Sequence, residues 1–218
     1  MLVNKYSSFL TVLLVIILIF IIAALIFFGF RFFGNRESAQ EAATRFEEMA
    51  RGEGDDEDGS LEVGDVDLNR EGTGGGRRRQ RQYYRGYVMV GTIHIPRTRI
   101  TYPILERGTN RSLDIAVAIM WPENAEDRLN EPGNVTIMGH NYRNGRFFSN
   151  NRRLELGDAI YITDVRGRRV RYTIYRMFET NPEDTSFITR DTNGAREITL
   201  STCTDDGVRR TIVQARAD

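Results

Sequence analysis

The sequence holds a single cysteine, Cys203, and only two histidines, His94 and His140. One cysteine excludes an intramolecular disulfide framework and any multi-cysteine zinc site. Two histidines leave no material for a histidine-rich metal centre. Net charge is missing as well: 30 basic residues offset 30 acidic ones, which argues against a polyanion-binding surface and hence against a nucleic-acid partner. Lysine is almost absent, with Lys5 standing against 29 arginines. Proline is scarce at five residues, and no internal repeat is visible. The 218 residues leave room for one folded domain plus flanking segments.

What is present is unevenly laid out. Residues 9–30 read FLTVLLVIILIFIIAALIFFGF, a run without charge, interrupted only by Thr11 and Gly29. A bilayer core requires about 20 apolar residues in a helix, so this run is long enough to span. A cleaved secretory signal has an apolar region of only about 7–15 residues and a small-residue cleavage site, and neither condition is met before Arg31. A helix apolar on every face is also unusual in the core of so small a domain. The expectation is an uncleaved, single-pass signal anchor over 9–30 in the lipid bilayer of the cell membrane. Residues 1–8 then form a short cytoplasmic tail, and the C-terminal bulk lies outside the cytoplasm. Lys5 on one side and Arg31 and Arg36 on the other nearly balance the positive-inside count, so orientation rests on the short N-terminal tail.

From residue 31 to residue 85 the composition turns polar. Ser38 and Glu41 have capping-box spacing, which allows a short helix over 38–50. Beyond it, acidic residues and glycines dominate to Gly76, followed by the basic tract RRRQRQYYR ending at Arg85. Such composition cannot bury enough apolar surface to offset its ordering entropy. The expectation for 31–85 is a disordered tether, acidic and then basic.

Residues 86–218 have the apolar content of a single core and nearly balanced charge. Period-two alternation and β-branched enrichment mark strands at 87–95, 100–105, 134–139, 159–163, 169–178, 197–202 and 210–217. Turn residues separate them at Pro96, Gly108–Asn110, Glu131–Gly133, Arg166–Gly167 and Asn193–Gly194. A helix is expected near 112–118 and a short turn near 147–151. The fold class is therefore mostly β, a closed barrel of about seven to eight strands with short helices.

Strand phase selects the reactive candidates. Along Glu197–Cys203, Ile198 and Leu200 share one face, while Thr199, Ser201 and Cys203 share the other. With the apolar pair facing the barrel, Cys203 ends on the polar face, where a free thiol outside the cytoplasm is an oxidation liability unless it has a role. A buried, inert cysteine remains the alternative. His140 ends the strand Val135–Gly139 and enters a polar loop at Asn141, a position suited to acid–base work beside a thiol. His94 sits mid-strand between isoleucines and is expected to face solvent. Arg209 and Arg210 open the last strand, and phase places Arg210 with Gln214 and Arg216 on the polar face. Asp205 and Asp206 follow the cysteine and either orient a base or cap a turn.

These residues resemble a known family. Thr199-Leu-Ser-Thr-Cys203 is similar to the TLxTC signature of the sortases, membrane-anchored cysteine transpeptidases of Gram-positive bacteria. The Gly139-His140-Asn141 step resembles the family's catalytic histidine segment, and Arg210 matches the arginine that opens its final strand. Ile93-His-Ile-Pro96 and Ile100-Thr-Tyr-Pro-Ile104 are similar to the family's two opening strands. The resemblance covers 86–218 and implies a sortase-type barrel. It implies catalysis by Cys203, His140 and Arg210, with Asn141, Ser201, Thr202 and Asp205 in support. It further implies cleavage of an LPxTG-like sorting motif in surface proteins through a Cys203 thioester. The acyl group then passes to an amine of a peptidoglycan precursor or a pilin. No cofactor or resident metal is implied, although calcium modulates some members. The histidine and cysteine motifs have a class B flavour, while the short loop before the cysteine strand departs from that class, so the class stays open.

Two other readings stand beside it. A cysteine peptidase would resolve the same thioester with water. A non-catalytic, membrane-tethered binding module would not need Cys203 at all.

Overall fold

The computed structural model describes residues 3–51, 81–122 and 127–218, with the side chains of residues 3–11 and 28–36 outside the described set. Two compact units are resolved, Met1–Ser38 and Ala39–Asp218. Helix α1 runs over Val3–Arg51 and contributes to both. In the first unit the side chains at 12–27 are all exposed, among them Phe20 and Leu25. Among the described residues no helix is long and apolar enough to cross a membrane. The side chains at 9–11 and 28–30, which complete the expected span, lie outside the described residues.

The second unit is a β-barrel. Its strands are β1 (Gln82–Tyr84), β2 (Tyr87–Ile95), β3 (Ile100–Leu105), β4 (Val117–Trp121), β5 (Gly133–Met138), β6 (Ala159–Asp164), β7 (Arg169–Thr180), β8 (Arg196–Cys203) and β9 (Arg210–Ala217). The sheet order is β1-β2-β3-β4-β5-β8-β9-β7-β6, and β2 also pairs with β6. That last pairing closes eight strands into a barrel, with β1 appended at the edge. Most neighbours are antiparallel, but β3–β4 and β5–β8 are parallel. The interior is filled by one face of each strand, including Ile93, Ile95, Ile104, Ile137, Ile160, Ile162, Leu200 and Val213. Fully burying each such side chain contributes about 1.5–3 kcal/mol.

Seven strands match the alternation pattern to within two residues at each end. Two others, β1 and β4, arise where the pattern suggested tether and helix. The helix expected over 112–118 is a single turn, α2 (Asn110–Leu113). Thr109 and Ser112 form a reciprocal capping box there, and Ile115 and Ala116 both donate to the Ser112 carbonyl, which ends the turn. The freed β-branched and aromatic residues Val117–Trp121 then pair with β5.

The tether expected over 31–85 is corrected at both ends. At one end β1 pairs with β2. At the other, the last turns of α1 pack on the barrel, with Ala39, Ala43 and Phe46 fully buried. Glu47 accepts hydrogen bonds from the Thr92 and Thr163 hydroxyls (2.7 and 3.1 Å) and from Arg169 (3.2 Å). Gly167, at φ +73°, leaves space for the helix end: a Cβ there would lie 2.7 Å from the Ala50 carbonyl oxygen. The physical reason lies in spacing. Ala39, Ala43, Phe46 and Ala50 fall on one helical stripe, which average composition hides. The rest of the expected tether, residues 52–80, lies outside the described residues.

Candidate active site

Cys203 and Arg210 face one another across the last two strands. They are paired in register at the turn end of the β8–β9 hairpin, where Cys203 ends β8 and Arg210 begins β9. Ile198 and Leu200 lie in the core, so the odd-numbered residues of β8 face outward as strand phase required. On β9 the interior residues are Val213 and Ala215. Arg210 therefore shares the outer face with Cys203, and an Nη of Arg210 donates to the Cys203 sulfur. A guanidinium is a fixed, planar cation, complementary to a thiolate and to an oxyanion forming beside it. Arg209 turns the other way, donating to the Glu179 carbonyl and pairing with the Glu179 carboxylate at 3.6 Å.

His140 follows β5, the parallel neighbour of β8. The Gly139 amide donates to the Ser201 carbonyl, and the His140 carbonyl accepts from the Phe148 amide, which holds the histidine backbone on both sides. Gly139 is needed for close approach, since a Cβ would sit 2.9 Å from the Phe148 ring and 3.0 Å from Val117. The imidazole is about one-third exposed, with Nε2 lying 3.7 Å from Asp114 Oδ1. Its ring stacks obliquely on Tyr142 at 4.9 Å between centroids. The Tyr142 hydroxyl donates to the same Asp114 oxygen at 2.6 Å. Burial, together with that carboxylate, pushes the Tyr142 phenol up to about 12. His94 lies elsewhere, between Thr101, which shares a 2.9 Å hydrogen bond with its Nδ1, and the ring of Tyr161. It is half-buried rather than solvent-facing, and burial, followed by the nearby Arg169, lowers its basicity.

The supporting candidates divide. Asn141 Nδ2 donates to the Cys203 carbonyl (3.0 Å) and to Asp205 (2.9 Å), tying the histidine loop to the cysteine strand. Asp205 also pairs with Arg152 at 3.3 Å. Asp206, not Asp205, caps the turn after the cysteine, accepting from the Thr204 hydroxyl and the Val208 amide. Ser201 lies buried on the outer face beside Cys203. Thr202 has the opposite phase, and its hydroxyl is buried without a hydrogen-bond partner. It borders an open cleft of about 300 Å³ beside Cys203, which Asn141, Ser149, Arg152, Glu179 and Asp205 also line. Asp114, Tyr142 and Arg152 carry no sequence signature and emerge only from the fold.

A second groove wall lies over the outer face of β8 and β9. The segment 181–195 crosses it without forming a helix. Phe187 and Ile188 pack on Ile212 and Phe178 there. Asn134 pins the segment, donating to the Phe187 and Ile188 carbonyls and accepting from the Thr199 hydroxyl at 2.8 Å. Beneath it the fully buried carboxylate of Glu197 binds Tyr175, Arg190 and Arg216. Among the described residues no cluster of metal-binding side chains occurs.

Comparison with known proteins places this geometry. The solved structure of a Clostridium perfringens sortase D5 transpeptidase is 29% identical, with a TM-score of 0.53 over 60% of this chain and 79% of that one. Sortase C-1 from Actinomyces oris is 23% identical, with a TM-score of 0.53 over 59% of this chain and 72% of that one. Sortase C1 of Streptococcus agalactiae, solved in complex with MTSET, is 20% identical, with a TM-score of 0.52 over 60% and 69% of the two chains. These last two likenesses concern the fold. No curated protein sequence matches this chain. The family model of the sortase domain matches residues 93–218, more than half of the chain and every strand from β3 onward, and on that match the chain belongs to the sortase family.

Proposed function

We propose that this sortase is a membrane-anchored cysteine transpeptidase. It cleaves a C-terminal sorting motif of surface proteins and transfers the acyl product to an amine of a peptidoglycan precursor or a pilin. Transpeptidase activity follows from the family; the roles of individual residues, the anchor and the substrates are the proposal. The observation that carries it is the Arg210 guanidinium on the Cys203 sulfur, with His140 at the end of the adjacent parallel strand.

In the first step the Cys203 sulfur adds to the scissile carbonyl, and the oxyanion that forms is met by Arg210. As the C–N bond breaks, His140 gives a proton to the departing amine, leaving a Cys203 thioester. An incoming amine then attacks the thioester, His140 removes its proton, and the thiolate departs. The open cleft beside Cys203, lined by Asn141, Ser149, Arg152, Glu179 and Asp205, is the seat of the sorting peptide in this reading. The anchor reading is supported by the uncharged run at 9–30 and by the exposed apolar side chains at 12–27 of α1.

Intact mass spectrometry tests the proposal directly. The chain is incubated with sorting-motif peptides, with and without a candidate amine. A peptide adduct on Cys203 that an amine converts to a ligated product supports transpeptidation. Rapid release of acid with no amine incorporated supports the peptidase reading. No adduct on Cys203 with any peptide sinks both.

A further inference from the structure

We infer that Asp114 and Tyr142 form a positioning pair for His140: one carboxylate oxygen, held by the Tyr142 hydroxyl at 2.6 Å and lying 3.7 Å from Nε2, orients the imidazole. The inference rests on the acid–base role given to His140 above.

The carboxylate has a fixed base. Asp114 closes α2, whose capping box buries Ser112 completely. The Ser112 hydroxyl also donates to the Arg107 carbonyl at 2.8 Å, so the turn carrying Asp114 is held from both ends. Tyr142 is fixed as firmly: its amide donates to the Ser149 hydroxyl at 3.0 Å and its ring lies 5.9 Å from that of Phe147. The two anchors converge on one oxygen. At 3.7 Å the Asp114–His140 contact is too long for a hydrogen bond, but it is within ion-pair range once the ring is charged. A second carboxylate does not compete. Asp205 is bound to Asn141 and Arg152, and Arg146 sits against the Tyr142 and Phe147 rings. The cleft beside Cys203 adds Glu179, which pairs with Arg209, and Asp206, which caps the turn after the cysteine, to the Cys203–Arg210 pair. Among the described residues, Asp114 is the carboxylate within ion-pair distance of this imidazole.

The geometry separates this role from a structural one. Asp114 is largely exposed, so its replacement by asparagine leaves the core untouched. The experiment records the ring NMR signals of both histidines of the full chain, in the wild type and in Asp114→Asn, Asp114→Glu and Tyr142→Phe, with His94 as internal reference. The same proteins are assayed for peptide cleavage. Asp114→Asn is expected to move the His140 ring signals and to leave those of His94 in place. It should lower kcat about tenfold with KM unchanged, a fraction of the roughly 10²–10⁴-fold that a whole acid–base group supplies. Asp114→Glu should restore most of the rate. Tyr142→Phe keeps the ring contact and loses the bond that steers the carboxylate, so kcat falls while KM holds. Unmoved His140 signals in Asp114→Asn overturn the inference, as does an equal movement of both histidines. The ring signals do not depend on turnover. Moved His140 signals in a protein that forms no Cys203 thioester therefore leave the pairing intact and remove the proposed reaction instead.

Discussion

Arg209 and Arg210 are neighbours in sequence that face opposite sides of β9, and the difference is measurable. Arg210→Lys keeps the charge but loses the planar fork on the sulfur. It should cost about 10²–10³-fold in kcat, the scale of losing one oxyanion donor. Arg209→Ala breaks only an exposed pair with Glu179 and should stay within several-fold of the wild type. Measured on one peptide, with circular dichroism to confirm folding, a dead Arg209→Ala variant would contradict the face assignment. The histidines divide in the same way. His140→Ala should nearly abolish turnover, whereas His94→Ala loses a hydrogen bond to Thr101 and affects thermal stability rather than rate. Equal loss of activity in both variants would point to damaged folding. The placement of Cys203, His140 and Arg210 at strand ends was legible in the sequence because strand phase and a strand-ending glycine are local signals. Asp114 was not, because it meets His140 only after β4 and β5 pair and bring the end of α2 beside the end of β5.

At the scale of elements, the last turns of α1 matter most for revising expectation. A chain beginning at Gln82 would lack Ala39, Ala43 and Phe46 from the barrel's apolar surface and Glu47 from Thr92 and Thr163. Phe46→Ala alone should lower stability by about 3–5 kcal/mol, as for other buried aromatic truncations. Chemical denaturation would read this, and an unchanged midpoint would mean the helix end is not part of the cooperative unit. The stripe was hard to see because three of its four members are alanines, which add little to any hydropathy average. β4 was obscured for a different reason. Thr109 and Ser112 signal a helix start, and nothing local says that it stops after one turn; pairing with β5 decides that. The other strands were legible because turn residues punctuate an alternation that the barrel interior then uses directly.

At the scale of the whole molecule, Glu197 joins β8, β7, β9 and the segment 181–195 through Tyr175, Arg216 and Arg190. Burial pushes its carboxyl up, but hydrogen bonds from Tyr175, Arg216 and Arg190 outweigh burial and hold it below the ordinary carboxylate range. A depressed folded-state value means that the stabilisation is complete above the unfolded-state pKa, near 4.3, and is lost as pH falls through the folded-state value. Thermal midpoints of the wild type should therefore drop as the pH falls below the ordinary carboxylate range. Glu197→Gln should be less stable at pH 7, with a shallower decline on acidification. Parallel curves for the two proteins would remove Glu197 from the acid transition. The sheet order carries a consequence of another kind, for biosynthesis. β9 lies between β8 and β7, so those two strands share no pairing until β9 is inserted. A chain halted before Arg210 would expose two unpaired edges and have no guanidinium at its thiol. Because one strand both completes the wall and brings Arg210 to Cys203, barrel closure and the pairing of thiol with guanidinium are a single event.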